Sequence, residues 1–171
     1  MSTTFSPHLS SRRRSKVPWG LQQEELLRRG LASDPEFQVV TSANLDHVLK
    51  TDLVVRNCLR PELAPIGVQV TTRRDAPEKL ERTFQVLRTT RAFARSIYLI
   101  LAVPAVRPAV ILAFVRVLRE VAAHNAEGMF VVRLEEAGGH VRAHLMQTML
   151  FNAAPFAVTS VRRRFVNVMH N

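Results

Sequence analysis

Cysteine and aromatic residues are scarce in this sequence of 171 residues. Its single cysteine, Cys58, excludes a disulfide framework within the chain, and a reducing compartment fits. Aromatic residues make up 6% of the chain, so the stacking platform of single-strand RNA-binding domains is not evident. The sequence also lacks a Walker loop, a dinucleotide fingerprint and a nucleophile elbow. We therefore expect no enzymatic activity, no cofactor and no small-molecule substrate.

The sequence shows neither a secretory signal nor an apolar run suited to spanning a membrane. The first twenty residues lack the apolar core of a secretory signal. The apolar run 97–115 carries only one charge, but Pro104 and Pro108 break it into pieces too short to span a bilayer. We interpret this run as a buried strand followed by a buried helix, and expect no transmembrane segment.

Positive charge is abundant. The net charge is +10 and the isoelectric point about 11.4, while a hydrophobic content of 47% is enough for a folded core. Only Lys16, Lys50 and Lys79 are lysines, and the other basic residues are arginines, whose planar fork suits phosphates and bases. A GC-rich genome would explain arginine in place of lysine, but it does not explain the surplus over acidic residues. A polyanionic partner is indicated.

The N-terminal segment is rich in serine and arginine and has no acidic residue before Glu24. This composition is typical of a mitochondrial targeting segment, and equally of a basic arm that lies along RNA. We expect residues 1–35 to form a basic arm with a short helix. Residues 36–171 are expected to form one mixed α/β domain.

Hydrophobic periodicity and turn residues predict strands alternating with helices, an arrangement in which helices pack on a sheet. Short connections favour crossover units. The predicted helices cover 21–31, about 45–54, 75–95, 108–127 and about 141–150, and the predicted strands cover 37–41, 66–72, 97–103, 129–134 and 158–169.

Four arginine clusters are the candidate RNA contacts. Acidic clusters that would neutralise them are missing, which favours binding of phosphates on a folded RNA. The third cluster has helical spacing and would form one ridge on a helix. The candidate RNA-binding residues are Arg12, Arg13, Arg14 and Lys16; Arg73 and Arg74; Arg88, Arg91 and Arg95; and Arg162, Arg163 and Arg164.

Candidates for catalytic or metal-binding residues are weaker than the candidates for RNA contacts. Cys58 has no histidine near it in sequence, so we interpret it as a buried cysteine. His140 and His144 would share a helix face, but a metal site needs three or four ligands, so we expect no metal there. The acidic pairs 24–25 and 135–136 consist of adjacent residues that point apart, which is unsuited to a two-carboxylate site.

Three stretches resemble the bacterial-type small-subunit ribosomal protein six family, from Ser96 onward. They are the apolar run 97–104 ending on proline, the run 129–135, and the segment 151–164 with its basic end. The resemblance implies a ferredoxin-like sheet, a contact with ribosomal RNA, and a neighbouring ribosomal protein packed on the sheet. That family has a strand hairpin between its first helix and its third strand. In this sequence only residues 126–128 separate the predicted helix that begins at Pro108 from the predicted strand 129–134. Residues 66–72 would have to supply the missing strand.

The sequence therefore predicts an α+β fold, with a ferredoxin-like sheet, helices packed on it and an extended basic arm. A three-layer α/β sandwich is the alternative. The expected function is a structural constituent of the mitochondrial ribosome, in the matrix, bound to ribosomal RNA and neighbouring ribosomal proteins. The alternatives are an accessory subunit of a mitochondrial membrane complex, with basic patches on acidic protein or anionic lipid, and a small enzyme.

Overall fold

The computed structural model describes residues 18–72 and 77–152. These residues form four helices and six strands, which alternate irregularly along the chain. In chain order they are α1 (Trp19–Ala32), β1 (Phe37–Val40), α2 (Ala43–Leu49), β2 (Leu53–Asn57), β3 (Ile66–Thr71), α3 (Pro77–Thr90), β4 (Arg95–Ala102), α4 (Pro108–Ala123), β5 (Gly128–Ala137) and β6 (His140–Leu150).

The six strands form one mixed sheet in the order β1-β2-β3-β4-β5-β6. The pairs β1–β2, β2–β3 and β5–β6 are antiparallel, whereas β3–β4 and β4–β5 are parallel. Parallel neighbours need crossover connections, which α3 and α4 provide. The central strands must therefore be covered by helices on both faces.

The central strands are buried because helices cover both faces of the sheet. Every residue of β3 is buried, and β4 has only partly or fully buried residues. Gly67 on β3 lies against the Phe93 ring, where a Cβ atom would come within 2.6 Å of a ring carbon. A glycine is therefore needed at this position for the segment before β4 to pack on the sheet.

Two hydrophobic clusters, one on each face of the sheet, define three layers. On one face, α1 and α4 pack through residues such as Leu27, Leu31 and Phe114. On the other face, α3 packs through Phe84 and Leu87, with α2 beside it. The two helical layers enclose the sheet, as in the three-layer sandwich expected as the alternative.

The predicted α+β class, a sheet with helices packed on it, is confirmed. The strand order differs from a ferredoxin-like sheet, which is built from split βαβ units. Here each crossover helix joins strands that are direct neighbours, so no strand is inserted between them. Ile66–Thr71 lies beside β4 and does not serve as the strand after α4.

The helix predicted after Gly138 and Gly139 is wrong, because this segment is strand β6. Both glycines have positive φ values, 59° and 77°, as a two-residue type I′ hairpin turn requires. The turn folds the chain back onto β5. Apolar residues at spacing four, such as Leu145 and Met149, fit a strand period as well as a helix period.

The single helix predicted over residues 45–54 is also wrong. Ser42 caps α2 by accepting a hydrogen bond from the Leu45 amide at 3.2 Å. Lys50 then adopts the left-handed conformation with φ 52°, which ends the helix after two turns. The chain continues as β2, whose first two residues, Leu53 and Val54, had been assigned to the helix.

Some predictions fall outside the described residues. They include the N-terminal arm, the start of the helix predicted over 75–95 and the final strand over 158–169. The predicted domain boundary at residue 35 stays a prediction. Among the described residues, no helix has both the length and the apolar character needed to cross a membrane.

The core of the α1/α4 face gives a direct test of this packing. Phe114 is fully buried on α4, whereas Leu112 on the same helix is 52% exposed. Phe114→Ala should lower the free energy of unfolding by about 3–5 kcal/mol, because it leaves a cavity. Leu112→Ala should change it by no more than about 0.5 kcal/mol. Equal effects of the two substitutions in denaturant titrations would contradict this arrangement of α4.

Candidate functional site

A cavity of about 470 Å³ lies where α1, α2 and α3 approach the end of β3. It is at the carboxyl end of the parallel strands, the place where open α/β sheets commonly bind ligands. Three carboxylates and one ammonium group line it, together with hydroxyl and apolar side chains. The lining residues are Leu21, Glu24, Thr41, Ser42, Asp46, Asp52, Val70 and Lys79.

Asp52 is the most firmly held of these groups. It lies directly before β2, and its backbone N–H donates to the Val68 carbonyl at 2.9 Å. Its Oδ2 atom accepts hydrogen bonds from the Val70 N–H at 2.6 Å and from the Gln69 side-chain amide. Burial raises the pKa of Asp52, while the Val70 hydrogen bond and the charge of Lys79 oppose that rise. The β2–β3 pairing thus fixes a carboxylate at the cavity wall.

Glu24 faces Asp52 from α1. Partial burial raises the pKa of Glu24 to about 7, and the negative charges of Asp52 and Asp46 add to the rise. A carboxyl group with a pKa of about 7 is partly protonated at neutral pH. It can therefore both accept and donate a proton, as a general acid or base must.

Lys79 supplies the positive charge in the lining. It lies in the first turn of α3, and its Nζ atom donates a long hydrogen bond of 3.4 Å to the Val70 carbonyl. Its charge lowers the pKa values of both Glu24 and Asp52. The cavity therefore combines a proton-exchanging carboxyl, a fixed carboxylate and an ammonium group.

This arrangement differs from a dedicated metal cage. Within residues 18–72 and 77–152, no three His, Cys, Asp or Glu side chains are placed to hold a metal ion. A Mg²⁺ ion needs fewer protein ligands, because it usually keeps waters and binds one or two carboxylates plus substrate phosphates. The carboxylates of Asp46 and Asp52 fit that second type of site in their chemistry.

The sequence interpretation missed this cavity. Glu24 and Glu25 do point apart, as expected: Glu24 faces the cavity, and Glu25 pairs with Arg28 and Arg29, both at 2.6 Å. The partner of Glu24 is Asp52, which lies 28 positions away in sequence and which the helix predicted over 45–54 concealed. An aspartate directly before an apolar strand was the signal that could have identified it.

The arginine clusters are only partly described. Residues 12–16, 73–74 and 162–164 lie outside the described part of the chain. Arg88, Arg91 and Arg95 do not form the predicted helical ridge, because α3 ends at Thr90 and Arg95 already begins β4. Arg91 between them has φ 50°, a left-handed conformation that breaks the helical spacing.

Arg91 has a structural role in this fold. Its guanidinium donates hydrogen bonds to the Phe151 carbonyl at 3.2 Å and to Asn152 Oδ1 at 2.6 Å. It also lies over the Phe151 ring, 5.5 Å from its centre, and 3.8 Å from Glu127. These contacts fasten the end of β6 to the turn after α3, and they occupy donors that had been assigned to RNA.

The structure also corrects the expectations for Cys58 and for the pair His140 and His144. Cys58 is exposed, contrary to the expectation of a buried cysteine, and it directly follows the last residue of β2. His140 and His144 share a strand and not a helix. His144 lies 3.1 Å from Glu135, and Glu136 pairs with Arg107 at 2.5 Å.

Comparison with known proteins gives no relative for this chain. No protein-family model, no curated protein and no solved structure matches it.

The raised pKa of Glu24 has a consequence for stability. An unfolded glutamate ionises near pH 4.5, whereas the folded one ionises near 7, so stability falls as pH rises between these values. Glu24→Gln should therefore raise the free energy of unfolding at pH 8 more than at pH 4. Denaturant titrations at the two pH values measure this difference.

Glu25→Gln is the control. Hydrogen bonds from Arg28 and Arg29 lower the pKa of Glu25 to about 2, so its removal should not stabilise the protein at pH 8. If both substitutions had the same effect at pH 8, the like-charge environment assigned to Glu24 would be wrong.

Proposed function

We propose that the protein binds nucleic acid and that the cavity hydrolyses a phosphodiester bond of the bound strand. One observation carries the proposal: Glu24, with a pKa of about 7, shares a cavity with the fixed carboxylate of Asp52 and the ammonium of Lys79. A pocket with convergent polar groups and a strongly perturbed pKa is the preferred candidate for an active site. This proposal replaces the sequence-based expectation of a protein without enzymatic activity.

The charge distribution supports nucleic acid as the substrate class. The described residues contain 15 basic and 13 acidic side chains, a net charge of +2. The chain as a whole carries +10, so +8 belongs to residues 1–17, 73–76 and 153–171. The surplus of positive charge is therefore concentrated in three short stretches of the sequence, whose arginines suit contacts with phosphates.

The segment 73–76 is of special interest because of its position in sequence. It contains Arg73 and Arg74, and it connects the end of β3 to the start of α3. Val70 and Lys79, on either side of it, both line the cavity. The chain therefore carries arginines within a few residues of the groups to which we assign the chemistry.

In the proposed reaction, Glu24 accepts a proton from a water molecule as the water oxygen attacks phosphorus. The bond between phosphorus and the leaving oxygen breaks, and the proton passes to that oxygen. Lys79 stabilises the negative charge that develops on the phosphoryl oxygens. The hydrogen bond from the Val70 N–H favours the charged form of Asp52, against the burial that raises the pKa of this carboxyl.

Asp46 and Asp52 would repel a phosphate unless a cation accompanied it. A Mg²⁺ ion bound jointly by carboxylates and substrate phosphates removes this conflict. We therefore include a divalent cation, bound together with the substrate, in the proposal.

A second candidate function is the structural role in a mitochondrial ribosome or a similar ribonucleoprotein. The observation that favours it is the charge distribution, because arms rich in arginine suit folded RNA without any chemistry. The two apolar stretches on which the family resemblance partly rests correspond to β4 and β5. The third stretch follows strand β6 rather than a helix, and its basic part is outside the described residues.

Cleavage assays separate the two functions. The purified chain should cleave labelled DNA or RNA oligonucleotides in the presence of Mg²⁺ and should lose this activity in EDTA. Glu24→Gln and Lys79→Met should each lower kcat about 100-fold or more, the usual scale for loss of proton transfer or charge stabilisation. Binding of the same oligonucleotides should change little.

Arg82→Gln provides the matched control, because Arg82 lies on the exposed face of α3 one turn from Lys79. It should keep full activity. If the wild-type chain bound RNA tightly and cleaved neither RNA nor DNA, the structural role would replace the enzymatic one.

Nucleic-acid binding should depend on salt through the N-terminal arginines. Replacing Arg12, Arg13 and Arg14 by glutamine should reduce the slope of log Kd against log salt by about 2 to 3, since each phosphate contact contributes about 0.7 to 0.9. Fluorescence anisotropy between 50 and 300 mM KCl is a suitable measurement. Arg116→Gln, on the exposed side of α4, should leave the slope unchanged.

Anionic lipid vesicles form the second arm of that experiment. The alternative of a subunit of a mitochondrial membrane complex would gain support if the chain bound the vesicles and not RNA at the same ionic strength.

A further inference from the structure

We propose that a basic corner of the sheet, on the β5–β6 hairpin, binds the phosphates of the nucleic-acid strand that enters the cavity. This β5–β6 corner is the surface formed by Arg133, Glu135, Arg142 and His144. The inference rests on the proposed function for the identity of the strand. Binding at the corner can nevertheless be measured without any cleavage.

The four side chains of the β5–β6 corner share one face of the hairpin. Val131 on β5 belongs to the hydrophobic cluster of the α3 face. Arg133 and Glu135 follow it at the two-residue spacing that returns a strand to the same face. Across the hairpin, His144 lies opposite Arg133, and Arg142 lies opposite Glu135. The α3 face therefore changes from apolar to charged along β5.

Helix α3 crosses this face of the sheet diagonally and leads away from the corner. Its first turn lies at the end of β3, where Lys79 Nζ donates to the Val70 carbonyl. Further along the helix, the Phe84 ring stacks on the Phe151 ring, with centres 5.9 Å apart. Phe151 lies at the amino end of β5, because its N–H donates to the carbonyl of Glu127, directly before that strand. The carboxyl end of β5, where the corner lies, is thus the part that α3 does not follow.

The side chains of the corner are accessible to a ligand. About a third of each side chain is exposed for Arg133, Glu135 and His144, at 33%, 32% and 35%. Arg142 belongs to the exposed residues of β6. These side chains can therefore contact a partner without any rearrangement of the sheet.

The corner carries an unbalanced positive charge. The Glu135 carboxylate lies 3.2 Å from Arg133 Nε and 3.1 Å from His144 Nε2. Arg142, although opposite Glu135 in the register, makes no hydrogen bond or ion pair with the described residues. Two guanidinium groups thus share one carboxylate. A guanidinium with an open fork can bind a phosphate through two parallel hydrogen bonds.

The corner and the cavity lie along one row of the sheet. Val70 lines the cavity, and the next residue, Thr71, is in register with Ile100 on β4. Ile100 in turn is in register with Arg133 on β5. Neighbouring strands are about 4.8 Å apart, so about 10 Å separates β3 from β5. At about 3.4 Å per nucleotide, a strand with one linkage in the cavity would reach the corner within about three nucleotides.

The chemistry of the corner indicates how it would recognise a strand. It has guanidinium and imidazole groups and no Phe, Tyr or Trp side chain on which a base could stack. Contacts with phosphates position a strand and do not depend on its sequence. We therefore expect the corner to bind single-stranded DNA and RNA alike.

The first measurement is fluorescence anisotropy of the full-length chain with single-stranded oligonucleotides whose phosphorothioate linkages resist cleavage, in the presence of Mg²⁺. The double variant Arg133→Gln/Arg142→Gln should reduce the slope of log Kd against log salt by about 1.4, since each phosphate contact on a single strand contributes about 0.7. Arg142→Gln alone should give about half of this reduction. The single variant removes no contact between described residues, so it tests the proposal even if the double variant fails to fold.

Arg82→Gln/Arg116→Gln is the matched control, because it changes the net charge by the same amount on the exposed faces of α3 and α4. It should keep the salt slope of the wild type. An equal reduction in the two double variants would mean that only net charge matters, and this result would overturn the proposal. The absence of any binding by the wild-type chain would overturn it as well.

The second measurement is the kinetics of cleavage. The corner is remote from the reacting linkage, so its contacts should be equal in the ground state and the transition state. Arg133→Gln/Arg142→Gln should therefore raise KM by about tenfold and leave kcat unchanged. A lower kcat at unchanged KM would contradict a role in strand binding.

Failure of the proposed function would give a different pattern. If the corner variants lose salt slope but the wild-type chain cleaves nothing, the corner binds nucleic acid and the proposed reaction fails. If the wild-type chain cleaves and the corner variants bind and cleave like the control, the corner has no such role. Phosphatidylserine vesicles form a further arm: variants that lost vesicle binding and kept oligonucleotide binding would assign the corner to lipid and overturn the proposal.

Discussion

The parallel pairing of β3, β4 and β5 is the constraint on which the rest of this structure depends. Parallel strands need crossover helices, and a sheet with a helix layer on each face loses both of its faces to the core. This explains why every residue of β3 is buried and why Gly67 must make room for Phe93. A ligand can then approach the centre of the sheet only from the ends of its strands.

That constraint determines which residues can act together. The end of β3 brings Val70 beside Asp52, and the helices on the two faces bring Glu24 and Lys79 to the same cavity. Burial and like charges then raise the pKa of Glu24 to about 7. The described body carries only +2 of the net charge of +10. Under the proposed function, the chemistry belongs to the cavity, and most of the contacts with phosphates belong to the basic stretches of sequence within residues 1–17, 73–76 and 153–171.

Most elements could be predicted from sequence, because helices α1, α3 and α4 and strands β1, β3, β4 and β5 have clear periodicity. β6 could not be separated from a helix by apolar spacing alone, and the left-handed Lys50 that ends α2 has no sequence signal. The cavity escaped prediction because Glu24, Asp52 and Lys79 are distant in sequence and meet only through the sheet register. The helical ridge of arginines failed because Arg91 contacts Phe151 and Asn152 instead.

The most direct test of the central claim is an amide NMR map of the full-length chain with an oligonucleotide whose phosphorothioate linkages resist cleavage, in the presence of Mg²⁺. Our account predicts that, within residues 18–72 and 77–152, the largest shifts occur at the cavity, in the amides of Ser42, Asp52 and Val70. Shifts confined to surfaces remote from the cavity, with these three amides unchanged, would contradict it.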